Sequence, residues 1–533
     1  MKYKILISDK FDAEGVSRLK NTSNFDVIYK GGHSKEELIK DLPQADCLII
    51  RSATKVKGDV FNYTNRLKLI VRAGVGVDNI DIGEASRRGI VVMNAPGGSS
   101  ITTAEHAIAM MLALARNIPQ ANQSMKNGKW EKSKFLGTEI TNKTLGVIGL
   151  GRIGREVVKR AKGLKMRVIG YDPYIASESL SHLEIEIKDL NDLLKESDFI
   201  TVHTPLTENT KSLINKENLS FLKKGVRLIN CARGGIYDED ALVEGLKTGQ
   251  IVGVALDVFS EEPIPKDFPL LQFENCIMTP HLGASTSEAE FAVAMETVDE
   301  VIDFFTKGIA KNAINYPSID PDSMEYLKPY FIGGEKCGKL LATLMEEPIK
   351  TVRINFNGEI AKKKTDPIKM AILKGLLSIY VSEETVNYVN APILSKERGI
   401  QIIENFDETI TDYTNSIDIE FESDTAKKQK LKLTSVLNRT LIVKFNDYDL
   451  EFEPQGILLI LKNKDVPGVI GDIGTYLGRQ KINIASLDLS RNFKGDVAYS
   501  IIKIDEVLTK EQLDEFKKLP NILSVKQVNL NSH

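Results

Sequence analysis

Cysteine is scarce in this sequence of 533 residues, which contains four of them. Cys47, Cys231, Cys276 and Cys337 are not at the paired spacing of zinc ligands, and they are too scattered for a disulfide framework. We therefore expect a protein of a reducing compartment, the cytoplasm, with no metal site.

The sequence also lacks a long apolar run and an excess of charge of either sign. No run approaches the ~18 apolar residues that cross a bilayer, and the start, MKYKILISDKFD, has too short an apolar stretch for a signal peptide. Lys and Arg number 70 and Asp and Glu number 73, for a formal net charge of −3. This balance gives no basis for binding nucleic acid or an anionic membrane, so we expect neither as a partner.

Short apolar runs alternate with amphipathic stretches through the first half of the chain. YKILISD, CLIIRSA, LKLIVRAG and IVVMNAP are continuous in aliphatic residues, which is typical of strands buried on both faces. A second series of six such runs consists of KTLGVIGLG, RVIGYD, DFITVHTP, VRLINCARGG, IVGVALDVF and CIMTPHLG. The pattern predicts two doubly wound parallel α/β sheets, in a chain long enough for roughly three to four domains.

Two long helices and a linker are predicted around the second series. The first helix spans 99–116, with Thr102 or Thr103 as its N-cap and His106 as a packing residue. The second helix follows the series and ends at Gly308. The stretch 312–323, NAINYPSIDPDS, is rich in Pro, Asn and Asp and predicts a linker.

A glycine-rich turn opens the second series, where Gly149, Gly151 and Gly154 form the pattern G-x-G-x-x-G. A strand precedes this turn, an amphipathic helix follows it, and the next strand ends at Asp172, which is the context of a dinucleotide-binding fold. The three glycines allow, in turn, a tight turn, close approach of a pyrophosphate, and close packing of helix on strand. Because an acid at position 172 accepts hydrogen bonds from ribose hydroxyls and repels a 2′-phosphate, NAD is the expected cofactor.

Four later strands end in chemically unusual residues, and the strand ends of a doubly wound sheet meet at one edge. These residues are Thr204, Cys231, Arg233, Asp257, Glu261, Glu262 and His281. Oxidation of a 2-hydroxy acid needs a cation that holds the carboxylate, a base that takes the hydroxyl proton, and an acid that orients the base. Arg233, His281 and Glu262 supply one of each, with Glu261 as the alternative to Glu262.

The whole chain resembles the D-isomer-specific 2-hydroxyacid dehydrogenases. The similar stretches are RSATKV (51–56), AGVGVDNID (73–81), GLGRIG (149–154), NCARGG (230–235), ALDVFSEEP (255–263) and PHLGAST (280–286). The resemblance implies a substrate-binding lobe, 1–97 and 285–315, around an NAD-binding Rossmann lobe, 98–284. It implies the same three catalytic residues and an NAD site that also includes Val75, Arg152, Ile153, Thr204, Cys231, Asp257, Gly283 and Ala284.

The resemblance further implies a phosphorylated substrate, D-3-phosphoglycerate, oxidised to 3-phosphohydroxypyruvate at the start of serine biosynthesis. Arg51 and Arg72 follow strands that end at the cleft, where their charges suit a dianionic phosphate, and Ser52 and Gly74 complete the expected substrate site. Three alternatives stay open. The first is that the two arginines are simply solvated. The second is that the enzyme prefers an unphosphorylated acid, as a glyoxylate/hydroxypyruvate reductase does, and the third is that the protein senses NAD without catalysis.

The C-terminal part has a different pattern. Residues 316–452 resemble the α+β intervening domain of longer family members, and 453–533 resemble a ferredoxin-like ACT domain, which binds amino acids. Asp465 and Asn483 are the expected contacts of L-serine as an effector, between paired copies in a homodimer or homotetramer. Val466 stands where a basic residue is frequent in the family, and a sheet that only forms dimers is the alternative. For Trp130, the sole tryptophan, a dimer contact and local packing are both open.

Overall fold

Four β-sheets follow one another along the chain. The structure, a computed structural model, describes residues 2–175, 177–317, 321–381, 385–410 and 412–531. The first two sheets are parallel, the third is mixed, and the fourth is antiparallel. The predicted fold class, with two parallel α/β sheets followed by α+β units, is confirmed. Within the described residues, no helix combines the length and the apolarity that a membrane span requires.

The first sheet has the strand order β2-β1-β3-β4-β5. Its elements are β1 (Tyr3–Ile7), α1 (Ala13–Lys20), β2 (Phe25–Tyr29), α2 (Lys35–Asp41), β3 (Cys47–Ile50), β4 (Leu69–Arg72), α3 (Ile82–Arg87) and β5 (Val91–Asn94). The four predicted strands are present, and β2 is an additional one. It lies at the edge of the sheet and includes the exposed Asp26, so it lacks the continuous apolar run that predicted the others.

The second sheet has the order β12-β11-β10-β9-β6-β7-β8. Its elements are α4 (Ser100–Ala115), α5 (Ile118–Lys126), β6 (Thr144–Ile148), α6 (Arg152–Gly163), β7 (Arg167–Tyr171), β8 (Glu186–Ile187), α7 (Leu190–Glu196), β9 (Phe199–Val202), β10 (Val226–Asn230), α8 (Glu239–Thr248), β11 (Ile251–Leu256) and β12 (Cys276–Met278). All six predicted strands are present. The two-residue β8 is too short to leave a signal in the sequence.

The predicted N-cap of α4 is wrong. The cap is Ser99, and Thr102 and Thr103 lie inside the helix. Thr103 directs its hydroxyl back to the carbonyl of Ser99, four residues earlier, at 3.0 Å. A threonine in the first turns of a helix can satisfy its hydroxyl in this way, so its presence alone does not mark the cap.

Each parallel sheet has one point where the chain reverses its direction of winding. In the first sheet, β1 lies between β2 and β3, and in the second, β6 lies between β9 and β7. Ligands of doubly wound sheets bind beyond the carboxyl ends of the strands at such points. The segment after β3 contains Arg51, and the segments after β6 and β9 contain the glycine-rich turn and Thr204.

The chain returns to the first sheet through α9 (Ser287–Lys307), which ends at Gly308 as predicted. Its Glu296 accepts hydrogen bonds from the backbone N–H groups of Gly97 and Gly98 at 2.8 and 3.1 Å. The crossing from the first sheet to α4 is therefore tied to the returning helix.

The predicted linker at 312–323 is wrong in part. Ala313 forms an antiparallel bridge with Met93, and the N–H of Ile314 donates to Val92, so the segment is attached to β5. Helix α10 (Pro321–Leu344) already begins at Pro321, and 318–320 lie outside the described residues. Proline is favoured in the first turn of a helix, and here it begins one.

The third sheet has the order β14-β13-β15-β16-β17-β18 and packs against α10 and α11. Its elements are β13 (Ile349–Gly358), α11 (Asp366–Leu377), α12 (Ala391–Glu397), β14 (Gln401–Asp407), β15 (Asn415–Ser423), β16 (Lys428–Val436), β17 (Arg439–Phe445) and β18 (Tyr448–Phe452). The loop before α12 reaches the first sheet, where Val389 packs into the core and Asn387 donates to the carbonyl of Gly89 at 2.8 Å.

The fourth sheet has the order β20-β21-β19-β22, which is ferredoxin-like. Its elements are β19 (Ile457–Lys464), α13 (Val469–Arg479), β20 (Ile484–Arg491), β21 (Val497–Ile504), α14 (Lys510–Phe516) and β22 (Ile522–Asn529), in the predicted order. Leu458, Ile460 and Ile501 on one face of this sheet join the core of the third sheet. The two C-terminal units therefore share buried apolar surface, which opposes their independent movement.

Candidate active site

The glycine-rich turn leaves open space at the N-terminus of α6. Gly149 has a φ of 90°, and a Cβ there would lie 2.6 Å from the carbonyl oxygen of His203. A Cβ on Gly154 would lie 2.0 Å from the carbonyl oxygen of Gly149, so only glycine permits this packing. Gly151 caps α6 and has no atom within 4 Å of its Cβ position. The free N–H groups of the helix start can thus be approached by a phosphate.

The two strands beside this turn present polar groups to the same place. Asp172, after β7, accepts hydrogen bonds from the N–H groups of Leu150 and Tyr174 at 2.9 and 3.0 Å. Thr204 Oγ1 and His203 Nδ1, after β9, are buried and have no hydrogen-bond partner among the residues that the structure describes. Burial lowers the pKa of His203 to about 4, so its ring is neutral. Because buried polar atoms are normally paired, unpaired ones at a switch point fit a ligand.

His281 lies on the turn after β12 with a left-handed φ of 56°. Its Nδ1 is 2.8 Å from Oε2 of Glu262, and Oε1 of Glu262 accepts a hydrogen bond from the N–H of Phe259 at 3.1 Å. Burial raises the pKa of Glu262, but these two hydrogen bonds outweigh it, and the pKa lies below its usual value. The bond to an ionised carboxylate leaves Nε2 as the ring nitrogen available for proton transfer. The geometry thus pairs Glu262 with His281, and the neighbouring Glu261 is exposed.

Asp257 lies beneath this turn and is 1% exposed. Its carboxylate accepts hydrogen bonds from the N–H groups of Leu282 and Gly283 at 2.7 and 2.8 Å, and from Thr279 at 2.6 Å. Its backbone carbonyl accepts one from the N–H of His281 at 3.0 Å. Asp257 therefore holds the backbone on which His281 sits; a contact of its own with NAD stays a prediction.

His106 is a member of this network that the sequence did not indicate. It was predicted as a packing residue of α4, but its Nε2 lies 3.2 Å from both Asp257 Oδ1 and Thr279 Oγ1. Burial raises the pKa of Asp257, and the bonds from His106, Thr279 and Leu282 outweigh this effect and lower it overall. The helical spacing of His106 could not reveal a partner 151 positions away in sequence.

Arg72 lies near two other arginines, Arg233 and Arg51, where the two parallel sheets meet. Arg233, after β10, binds Asp78 through Nε at 2.9 Å and donates from Nη1 to the carbonyl of Ala232 at 2.6 Å. Arg72 is largely buried, and its Nε has no hydrogen-bond partner within the described part of the chain. Burial and the charge of Arg233 lower its pKa to about 10. Arg51 is bound by Glu290 at 2.9 Å. A largely buried arginine with an unpaired donor and two like charges nearby suits an anion.

Two further residues that the sequence did not indicate hold Arg51 in place. Asp9, two residues after the end of β1, accepts a hydrogen bond from the N–H of Arg51 at 2.5 Å and two from Thr54. Asn79 donates to the carbonyls of Arg51 and Thr54, each at 2.7 Å. The only sequence signal for Asp9 is its place at the end of an apolar run.

The other residues predicted for the NAD and substrate sites differ in their burial and local contacts. Cys231 is buried beside Gly283, and burial raises the pKa of its thiol. Gly74 lies against the guanidinium of Arg72, and the carbonyl of Val75 accepts a hydrogen bond from Asn94.

Arg152 and Ile153 form the first turn of α6, the former exposed and the latter packed on the core. Ser52 and Ala284 are exposed on their turns.

The two predicted effector residues are not close together within one chain. Ile484 of β20 and Ile457 of β19 both pair with Ile504, so Asn483 lies at that end of the sheet. Asp465 follows the opposite end of β19, roughly 25 Å away along an eight-residue strand. Within the chain Asp465 binds Arg491 at 2.5 Å, and Asn483 binds Asp505 at 2.7 Å. A small ligand could therefore contact Asp465 and Asn483 at the same time only where Asp465 of one copy of the chain lies beside Asn483 of another.

Two models of known protein families match separate parts of the chain. Residues 108–283 match the model of the D-isomer specific 2-hydroxyacid dehydrogenase, NAD binding domain. Residues 326–438 match the model of the D-3-phosphoglycerate dehydrogenase intervening domain. The first match contains the glycine-rich turn and the catalytic candidates, and the second contains most of the third sheet.

Similar curated proteins extend over the whole chain. A D-3-phosphoglycerate dehydrogenase of Methanocaldococcus jannaschii is 43% identical over 99% of this chain and 100% of its own length. One from Bacillus subtilis is 41% identical over the same shares of the two chains. Among solved structures, D-lactate dehydrogenase of Aquifex aeolicus in complex with NAD and lactic acid is 32% identical, with a TM-score of 0.52, and covers 59% of this chain and 100% of that chain.

Proposed function

Because the chain belongs to the D-isomer specific 2-hydroxyacid dehydrogenases, and within them to the D-3-phosphoglycerate dehydrogenases, we propose that it oxidises D-3-phosphoglycerate to 3-phosphohydroxypyruvate. The cofactor is NAD, and the reaction begins the phosphorylated route to L-serine. The observation that carries the proposal is that the strand-end turns of the second sheet hold both the His281–Glu262 pair and Arg233, whose ion pair with Asp78 reaches the first sheet.

Each residue of the site has its own role in the oxidation. Bound NAD supplies the hydride acceptor. Arg233 holds the substrate carboxylate through its planar fork of donors. Nε2 of His281 takes the proton from the hydroxyl group, and ionised Glu262, 2.8 Å from Nδ1, stabilises the imidazolium that forms. Asp257 acts through the backbone of the turn that carries His281. Its carboxylate holds this turn by accepting three hydrogen bonds, two from the N–H groups of Leu282 and Gly283 and one from the hydroxyl of Thr279.

The phosphate of the substrate is assigned to Arg72 and Arg51. Arg72 has a buried Nε without a partner among the described residues, and Arg51 directly follows Ile50, the residue of β3 that pairs with Arg72. A phosphate dianion would neutralise charges that repel one another in the free protein, which favours a phosphorylated acid over lactate or glycerate. The carboxylate of Asp172, at the ribose position, supports NAD over NADP.

An assay of D-3-phosphoglycerate, D-glycerate and D-lactate side by side tests the proposal. We expect kcat/KM for D-3-phosphoglycerate to exceed that for D-glycerate by about 100-fold or more, because two charge-assisted hydrogen bonds to phosphate are worth roughly 3 kcal/mol or more. The measurement is NADH formation at 340 nm with each acid over a range of concentrations. A preference for an unphosphorylated acid would assign the enzyme to the glyoxylate/hydroxypyruvate type, and no turnover of any acid would favour an NAD-sensing protein.

The domain division that we propose has a substrate lobe of 1–97 and 285–315, an NAD lobe of 98–284, an intervening domain of 316–452 and an ACT domain of 453–533. The four sheets support it, since each falls within one of these ranges. All four cysteines are buried as free thiols, which suits the cytoplasm. A homo-oligomer is supported by Trp130 and Leu136, which are 82% and 89% exposed and therefore lack local packing.

L-serine is proposed as an effector bound between the fourth sheets of two copies. The support is geometric: Asp465 and Asn483 lie at opposite ends of the sheet, so a head-to-tail pair brings one of each together. Serine can change activity only if it binds one state of the enzyme more tightly than the other.

Exchange of Asn483 for alanine tests this assignment. We expect serine to inhibit the wild type, and Asn483→Ala to need about ten times more serine for half-inhibition, with KM for the substrate unchanged, because one hydrogen bond of about 1.4 kcal/mol is lost. The matched control is Asn529→Ala, an exposed asparagine at the same end of the sheet but on its other edge strand. Equal inhibition of all three proteins would exclude Asn483 as a contact.

A further inference from the structure

An ion pair joins the two parallel sheets across the cleft. Asp78 lies in the segment after β4 of the first sheet, and Arg233 follows β10 of the second. Oδ2 of Asp78 accepts a hydrogen bond from Nε of Arg233 at 2.9 Å. The side chain of Asp78 is 70% exposed and that of Arg233 is 27% exposed. The carboxylate thus reaches from the substrate lobe to the arginine that is assigned to the substrate carboxylate.

The backbone at Gly76 is shaped to admit this arginine. A Cβ on Gly76 would lie 1.7 Å from Nη2 of Arg233 and 3.0 Å from Oδ2 of Asp78. The guanidinium therefore lies directly on the backbone of the segment 74–78, beside the acceptor that holds it. Only a residue without a side chain leaves this space, since any Cβ would displace the guanidinium.

The bonds of Arg233 leave one side of its fork free. Asp78 uses Nε, and the carbonyl of Ala232 uses one hydrogen of Nη1 at 2.6 Å. The guanidinium has five N–H donors, so Nη2 and the second hydrogen of Nη1 remain. Both terminal nitrogens therefore keep donors, and a carboxylate can bind the two terminal nitrogens of an arginine end-on with two parallel hydrogen bonds. A substrate carboxylate therefore does not need to displace Asp78.

We propose that Asp78 is a positioning residue, which orients Arg233 for the substrate carboxylate by accepting a hydrogen bond at Nε. This inference rests on the proposed function, in which Arg233 holds that carboxylate. The acceptor atom matters more than the charge, because an ion pair with a partner this exposed is screened by water and weak. Without the acceptor, the long side chain of Arg233 is free to rotate away from the end-on geometry, and orientation of the substrate is lost.

Two substitutions at position 78 separate geometry from charge. Asp78→Ala removes the acceptor, and we expect it to raise KM for the preferred 2-hydroxy acid about tenfold, with a smaller fall in kcat and unchanged affinity for NADH. Asp78→Asn keeps an oxygen acceptor at Nε without the charge, and we expect KM within about threefold of the wild type. The control is Asp26→Ala, an exposed aspartate on β2 far from the cleft. An Asp78→Ala enzyme with wild-type KM, or an Asp78→Asn enzyme as impaired as Asp78→Ala, overturns the proposal.

A second variant tests the same geometry while Asp78 is intact. Gly76→Ala places a methyl group where Nη2 of Arg233 lies, so we expect a rise in KM at least as large as that of Asp78→Ala. Wild-type KM in this variant would contradict the close contact. All values are ratios to the wild type on its own best substrate, so they remain meaningful if that substrate is not D-3-phosphoglycerate. Failure of the proposed function appears instead in the wild-type substrate panel.

Discussion

Replacement of His281 by alanine is expected to lower kcat by about 10³-fold, within the range that a general base contributes. The imidazole is 49% exposed, so its loss leaves no buried cavity. The turn itself is held by hydrogen bonds of Asp257 to the backbone of residues 281–283, which the substitution keeps. We therefore expect NADH to bind the variant with wild-type affinity, measured by titration of NADH fluorescence, while steady-state turnover is lost.

Matched variants make this expectation specific. Glu262→Gln removes the carboxylate at 2.8 Å from His281 Nδ1, and we expect a fall in kcat of about 10- to 100-fold, because the imidazolium loses its counter-charge. Glu261→Gln changes the neighbouring, exposed carboxylate and should stay within about twofold of the wild type. His182→Ala is the corresponding control for a surface histidine. Wild-type turnover in His281→Ala would exclude this residue as the base.

Replacement of Arg72 by methionine is expected to lower kcat/KM for D-3-phosphoglycerate by about 10²- to 10³-fold, since charge-assisted hydrogen bonds to a buried phosphate contribute about 3–4 kcal/mol. The same variant should retain its low activity on D-glycerate to within about threefold, because that acid has no phosphate to lose. The contrast between the two substrates is the measurement, and equal losses on both would contradict the assignment of Arg72 to the phosphate.

The same substitution should leave the free protein at least as stable as the wild type. Arg72 is largely buried beside Arg233, and burial with this like charge lowers its pKa to about 10, which means that the folded protein disfavours its charged form. An apolar side chain of similar length removes that cost. Thermal unfolding of the wild type and of Arg72→Met checks this expectation.

We expect Arg51→Met to lower kcat/KM for D-3-phosphoglycerate less than Arg72→Met does, because Glu290 already pairs with Arg51 at 2.9 Å.

Much of the architecture could be predicted from the sequence, and the errors have identifiable causes. Continuous apolar runs predicted ten strands of the two parallel sheets, whereas β2 and β8 were missed because one is a partly exposed edge strand and the other has two residues. The linker at 312–323 was predicted from Pro, Asn and Asp, but Ala313 pairs with β5 and α10 starts at Pro321. Composition does not show whether a turn-forming residue joins elements or begins one.

The sequence by itself determined the periodic features and the local chemistry of this protein: the βαβ order, the glycine spacing at 149–154, and the presence of an arginine, two adjacent glutamates and a histidine at strand ends. These are local properties, because strand and helix periods and turn geometry depend on neighbouring residues. Only the tertiary structure decided which groups act on one another. Asp78 lies 155 positions from Arg233, and His106 lies 151 positions from Asp257. Such pairs form only when distant parts of the chain pack together: Asp78 and Arg233 meet across the cleft between the two sheets, and His106 of α4 meets Asp257 at the end of β11. For Asp257, which is 1% exposed, burial also removes the water that would otherwise compete for its hydrogen bonds.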